Sequence, residues 1–124
     1  MSKSYTNYIQ EFADFMEEFD RGVTGAIKIA AIGCKFTRYL ADCGKDQFNY
    51  EVLYNLHKRD VICGKDGDSD KPISAAKADV IADASEEYKK YKEAKTDYES
   101  LNQIIAALAR LQKATMSEME MSGV

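Results

Sequence analysis

From Ile73 to about Ala114, apolar side chains recur at intervals of three and four. Val80, Ala84, Tyr91, Ala94, Tyr98, Leu101, Ile105 and Leu108 form the stripe, and Tyr88 and Leu111 widen it. Lysine, glutamate and aspartate fill most positions between. An α-helix brings that spacing onto one face, whereas a strand would need alternation. Asp83 with Glu86 reads as a second N-cap and its box residue, which places a kink near Ala82–Ser85.

The same period runs through the rest of the chain. Tyr8, Phe12, Phe15, Met16 and Phe19 make an amphipathic helix between about Asn7 and Asp20, with Gly22 as its stop signal. From Val23 to Ala41 or Cys43, Ala26, Ile27, Ala30, Ala31, Cys34 and Tyr39 lie on or beside one stripe. Ile29, Ile32, Phe36 and Leu40 supply a second apolar side. A helix apolar on two sides is covered on both, by its own fold or by another subunit. Gly25 and Gly33 lower helix propensity and permit close approach of a neighbouring backbone. Phe48, Val52, Leu53 and Leu56 continue the spacing toward Cys63, with Tyr50 and Tyr54 one turn apart. Gly44 either ends the helix or bends it, so 23–63 is one interrupted helix or two stacked ones. The stretch GKDGDSDKP, Gly64 to Pro72, concentrates turn residues and the single proline and reads as a loop.

One proline, no tryptophan and 45% hydrophobic residues in 124 suit a helical domain with few turns. The expectation is an all-α fold of three to four helices, oligomeric, whose long C-terminal helix forms a hairpin across the loop. It is a single domain, 1–124. An N-terminal amphipathic helix lies within 1–22 and a central helical segment spans 23–63. The loop follows at 64–72, then the long helix at 73–114 and a fraying tail at 115–124. The N-terminal region is polar and no apolar run reaches the length of a membrane span, so a soluble cytoplasmic protein without membrane contact is expected. Cys34, Cys43 and Cys63 match no zinc or redox spacing. They read as free thiols of a reducing compartment, buried as small hydrophobes.

Sites for chemistry are sparse. Asp66, Asp68 and Asp70 start like a calcium loop, but Lys71, Pro72 and Lys77 stand where glycine, a carbonyl-donating turn and a bidentate glutamate are needed. The segment reads as a solvated acidic turn, and no metal or cofactor is expected. His57, the single histidine, has no nucleophile or ligand set at a recognised spacing, and no phosphate or dinucleotide loop occurs. No enzymatic activity is expected.

Charge is more informative. The chain carries −4 overall, yet Arg21 to Lys45 holds five basic residues against Asp42 alone. Arg21, Lys28 and Lys35 are spaced by seven, Arg38 lies one turn on, and His57, Lys58 and Arg59 add a second group. Two readings fit: a solvated helix face, or a row that grips phosphates beside stacking tyrosines. Tyr88, Tyr91 and Tyr98 offer either a base-stacking row or a core and interface stripe. Ile29, Ile32, Phe36, Tyr91 and Tyr98 are the expected oligomer interface.

An extended helical segment, a short polar turn and then ISAAKADVIADASEEYKKYKEAKTDYESLNQIIAALARLQKA resembles small tailed-phage proteins, the UvsY-type recombination mediators among them. The resemblance covers about Ala26 to Lys113. It implies an all-helical ring without enzymatic activity in the cytoplasm of a bacterial host. Such a ring binds single-stranded DNA and helps a RecA-like recombinase replace the single-strand binding protein. Lys58 and Arg59, then Lys65, match the basic positions before the turn. With the basic row above, the expected nucleic-acid contacts are Arg21, Lys28, Lys35, Arg38, Lys58 and Arg59. A ring would align copies of this patch in an acidic protein. The alternative is a small helical protein that binds a host protein, as an inhibitor or assembly adaptor.

Overall fold

A computed structural model describes residues 4–22, 24–64 and 73–121. Four helices follow in order: α1 (Tyr8–Asp20), α2 (Ala26–Ile62), α3 (Ala75–Asp83) and α4 (Glu86–Met121). Among the described residues there is no strand, and the fold is all-α as the periodicity requires. The acidic turn with Asp66, Asp68 and Asp70, and Lys65 beside it, lie outside the described residues, as do Val23 and 122–124.

Two compact units make up the chain. One comprises Met1–Cys43 with Tyr98–Val124, the other Gly44–Asp97. The first holds the large apolar core. Tyr5, Tyr8 and Phe15 meet Ile29, Phe36, Tyr39 and Cys43 of α2 and Leu101 and Leu108 of α4. Phe12 stands edge-on to Phe36 at 6.4 Å, and Phe36 to Tyr39 at 5.4 Å, the T-shaped geometry aromatic quadrupoles favour. α1 ends where Gly22 takes φ +76°, a backbone conformation that L side chains rarely adopt, and its N–H donates back to the Phe19 carbonyl at 2.9 Å.

The second unit is built differently. Residues 44–62 of α2 pack with α3 and the first part of α4, so the chain returns on itself as a hairpin. Among the described residues of this unit the fully buried side chains are alanines: Ala78, Ala82 and Ala94. Large apolar residues stay outside, among them Phe48, Leu53, Leu56, Ile62 and Val80.

Several expectations change. α2 runs unbroken through Gly44. It is covered on one side, since Ile27, Ala31 and Cys34 are exposed. A Cβ at Gly25 or Gly33 would meet nothing within 4 Å, so neither glycine serves a close backbone approach. The kink falls as expected at Ala84–Ser85, but its cap is Ser85, not Asp83: the Ser85 Oγ accepts from the Tyr88 N–H at 3.2 Å. The break also shifts the apolar phase, so α3 buries Ala78 and Ala82 while Val80 and Ala84 face solvent. Beyond it α4 continues to Met121, past the expected end at 114. Of the three free cysteines only Cys43 is buried; Cys34 and Cys63 are exposed.

Candidate functional site

The expected basic row does not lie on one helix. Arg21 is the C-cap residue of α1, while Lys28, Lys35 and Arg38 belong to α2. Three of the four meet the acidic face of α1. Arg21 pairs with Glu17 one turn back. Lys28 reaches Glu18 at 2.6 Å, and Lys35 reaches Glu11 at 3.0 Å. The acidic residues that fill the polar face of α1 in the sequence are thus the counter-charges of the row. These pairs are largely exposed, where an ion pair contributes about 0–1 kcal/mol.

Glu11 does more than neutralise Lys35. The Tyr39 hydroxyl donates to both of its carboxylate oxygens, at 2.9 and 3.0 Å. Glu11 holds the Lys35 ammonium above its ordinary range, chiefly through their hydrogen bond, with Tyr39 adding to the shift. Burial, then the bond to Glu11, pushes the Tyr39 phenol up. Beside this triad an open cleft of about 390 Å³ runs between α1 and α2, floored by Phe15 and Ile32 and rimmed by Glu11, Glu18, Lys28 and Lys35.

In the second unit, Lys58 pairs with Asp79 of α3 at 2.7 Å. That hydrogen bond, first of all, raises the Lys58 ammonium above its usual value. Tyr54 sits among three neighbours. Its ring is 5.1 Å from Tyr88 and 5.9 Å from Tyr91, the latter nearly parallel at 14°. Its hydroxyl donates to Asp83 Oδ1 at 2.5 Å. That bond, then burial and the charge of Asp83, pushes the Tyr54 phenol up to about 12. His57 is half-buried in a cleft with Tyr50, Asp60, Glu86 and Lys90. Among the described residues no three His, Cys, Asp or Glu side chains converge to hold a metal ion.

Of the six expected nucleic-acid contacts, Arg38 and Arg59 are exposed with no ion pair among the described residues. Lys45, which the sequence reading placed in the basic stretch but not among the contacts, is in the same state. All three belong to α2, Arg38 in the first unit and Lys45 and Arg59 in the second.

The expected oligomer interface is also redistributed. Ile29 and Phe36 are fully buried in the first unit's core, with Ile32 and Tyr98 packed against it. Tyr91 is half-buried in its stack on Tyr54. Within the chain, Ile29 and Phe36 are covered by core neighbours, while Ile32, Tyr91 and Tyr98 stay partly exposed. Two groupings escaped the sequence reading: Glu11–Tyr39–Lys35, and Tyr54 with Asp83 and its two tyrosines. The one signal for the second was the Tyr50–Tyr54 spacing.

No protein-family model matches the chain, and neither the comparison with curated proteins nor that with solved structures finds a significant match. Among the described residues no helix is long and apolar enough to cross a membrane.

Proposed function

We propose that the protein is a non-enzymatic accessory protein that binds single-stranded DNA as an assembly of copies, in the manner of a recombination mediator loading a RecA-like recombinase. One observation supports this above the rest: in a chain of net charge −4, Arg38 and Lys45 of α2 stand exposed without an acidic partner among the described residues. Unpaired exposed cations exchange water and counterions for phosphate without first breaking an ion pair. Arg21, Lys28, Lys35 and Lys58 contribute less, because each contact with phosphate competes with a carboxylate already in place. A single copy carries a net charge of −4, so binding rests on several copies acting on one strand.

A gel-shift with a labelled single strand tests this. The wild type should bind at low salt, with affinity falling steeply as salt rises. Arg38→Glu with Lys45→Glu should abolish the shift at unchanged helical content, while Arg21→Ala should leave it nearly intact. Absence of binding at low salt, or binding that survives the double reversal, ends the reading. A protein-binding role is the second reading. The cleft between α1 and α2 favours it, because an apolar floor with both signs of charge on the rim suits a polypeptide better than a polyanion.

A further inference from the structure

The second unit has an imbalance in its apolar surface. Its fully buried side chains, among the described residues, are alanines, yet on α2 Phe48 is 66% exposed, Val52 39% and Ile62 43%. Together with Asn55 and Arg59, these three occupy positions 48, 52, 55, 59 and 62, a spacing of four, three, four, three. That alternation is the seam of a two-stranded coiled coil. The seam lies away from the packed face of this stretch, which Tyr50, Tyr54 and Val61 form. Every seam position except Val52, Phe48 and Ile62 is polar, and none is acidic.

We infer that this seam is an antiparallel contact between α2 helices of two copies of the chain, centred on Asn55. The inference rests on the self-association within the proposed function but not on DNA binding. The occupant follows from the pattern, which is complementary to itself. Reversed about Asn55, Phe48 meets Ile62 of the second copy, Val52 comes level with its Lys58, one residue from the stem of its Arg59, and the two Asn55 amides face each other. Glu51 flanks the seam, exposed and without an ion pair among the described residues, as is Arg59. In this register Glu51 of each copy comes beside Arg59 of the other, giving two interchain pairs. A parallel, in-register pair would instead set Arg59 against Arg59 and Glu51 against Glu51. A buried polar residue at a single seam position selects register, the role this arrangement gives Asn55. Arg59 then finds in the second copy a carboxylate that the described residues of its own chain do not supply. Phosphate contact falls to Arg38 and Lys45, so the two proposals are tested on different residues.

Sedimentation equilibrium on the full chain tests the inference. The wild type should dimerise or associate further. Phe48→Gln with Ile62→Gln should raise the dissociation constant by about tenfold or more, because two apolar side chains per copy lose their burial. Both are exposed, so the helical circular dichroism should not change. Glu51→Arg should weaken association by itself, and Glu51→Arg with Arg59→Glu should restore it. That rescue decides the matter even if the glutamine variants lose helicity. Ile9→Gln, an exposed apolar change in the other unit, should have no effect. Association that survives the glutamine pair and ignores the charge swaps overturns this interface and leaves self-association standing. A wild type that stays monomeric at high micromolar concentration overturns both, while the gel-shift still decides DNA binding.

Discussion

At the scale of single residues, Glu11 carries the most consequence per atom. It accepts from a buried phenol and pairs with a lysine, two groups that come from α2. Glu11→Ala leaves the Tyr39 hydroxyl without its acceptor. It should lower unfolding free energy by about 1–2 kcal/mol in urea titrations. Glu17→Ala, which removes only an exposed pair, should stay within about 0.5 kcal/mol. Tyr54 offers a pH test. Its phenol is raised to about 12 by the bond to Asp83, against an unfolded value near 10. The stabilisation this represents is full below pH 10 and is lost as pH rises through about 12. Ultraviolet titration of the wild type against Tyr54→Phe should show one phenol ionising near the upper value and missing from the variant. Neither residue was legible as a partner in the sequence. Glu11 lies 28 positions from Tyr39, and Tyr54 lies 29 from Asp83. Periodicity gives the face a residue occupies but not which residue of another helix arrives opposite.

At the scale of elements, sequence pattern served well where one helix was covered by one surface. Tyr8, Phe12, Phe15, Met16 and Phe19 lie on the core side of α1 as their spacing requires, and Gly22 ends it. It served less well on α2, whose two apolar sides look equal in the sequence. Coverage by α1 and α4 chose the Ile29–Phe36 side and left Ile27 and Cys34 outside. Tyr5 was missed because it precedes any periodic run, yet it is buried. The break between α3 and α4 was legible in place but not in mechanism, since serine and aspartate both cap well and only geometry separates them. Ser85→Ala should therefore cost about 1 kcal/mol, read as a lower urea midpoint at unchanged slope. Gly33→Ala should raise stability by about 0.5–1 kcal/mol. The added methyl meets no neighbour, and alanine loses less backbone freedom than glycine on forming a helix.

At the scale of the whole molecule, the two units are stabilised by different means. One interdigitates aromatic and branched side chains around Phe36; the other closes over alanines, with a tyrosine stack and two polar contacts at its flank. Apolar burial is the main favourable term in folding, so the second unit should open at lower free energy. Hydrogen exchange followed by mass spectrometry should show amides of 26–43 and 98–111 protected longer than those of 44–62 and 75–97. Uniform protection along α2 and α4 in dilute protein would refute the difference. The all-α class was legible throughout. This division was not, because the stripe of the long C-terminal segment carries one unbroken rhythm from one unit into the other.

The Tyr54 stack also gives the chain an optical handle. With eight tyrosines and no tryptophan, phenol rings dominate near-ultraviolet absorption and emission. Two nearly parallel rings 5.9 Å apart couple their electronic transitions, and a phenol bound to a carboxylate can hand over its proton on excitation and so dims. The ring coupling originates within Gly44–Asp97, while the dimming arises there at Tyr54 and in the first unit at Tyr39, bound to Glu11. A change in near-ultraviolet dichroism or tyrosine brightness that Tyr54→Phe removes reports on the second unit, without a label.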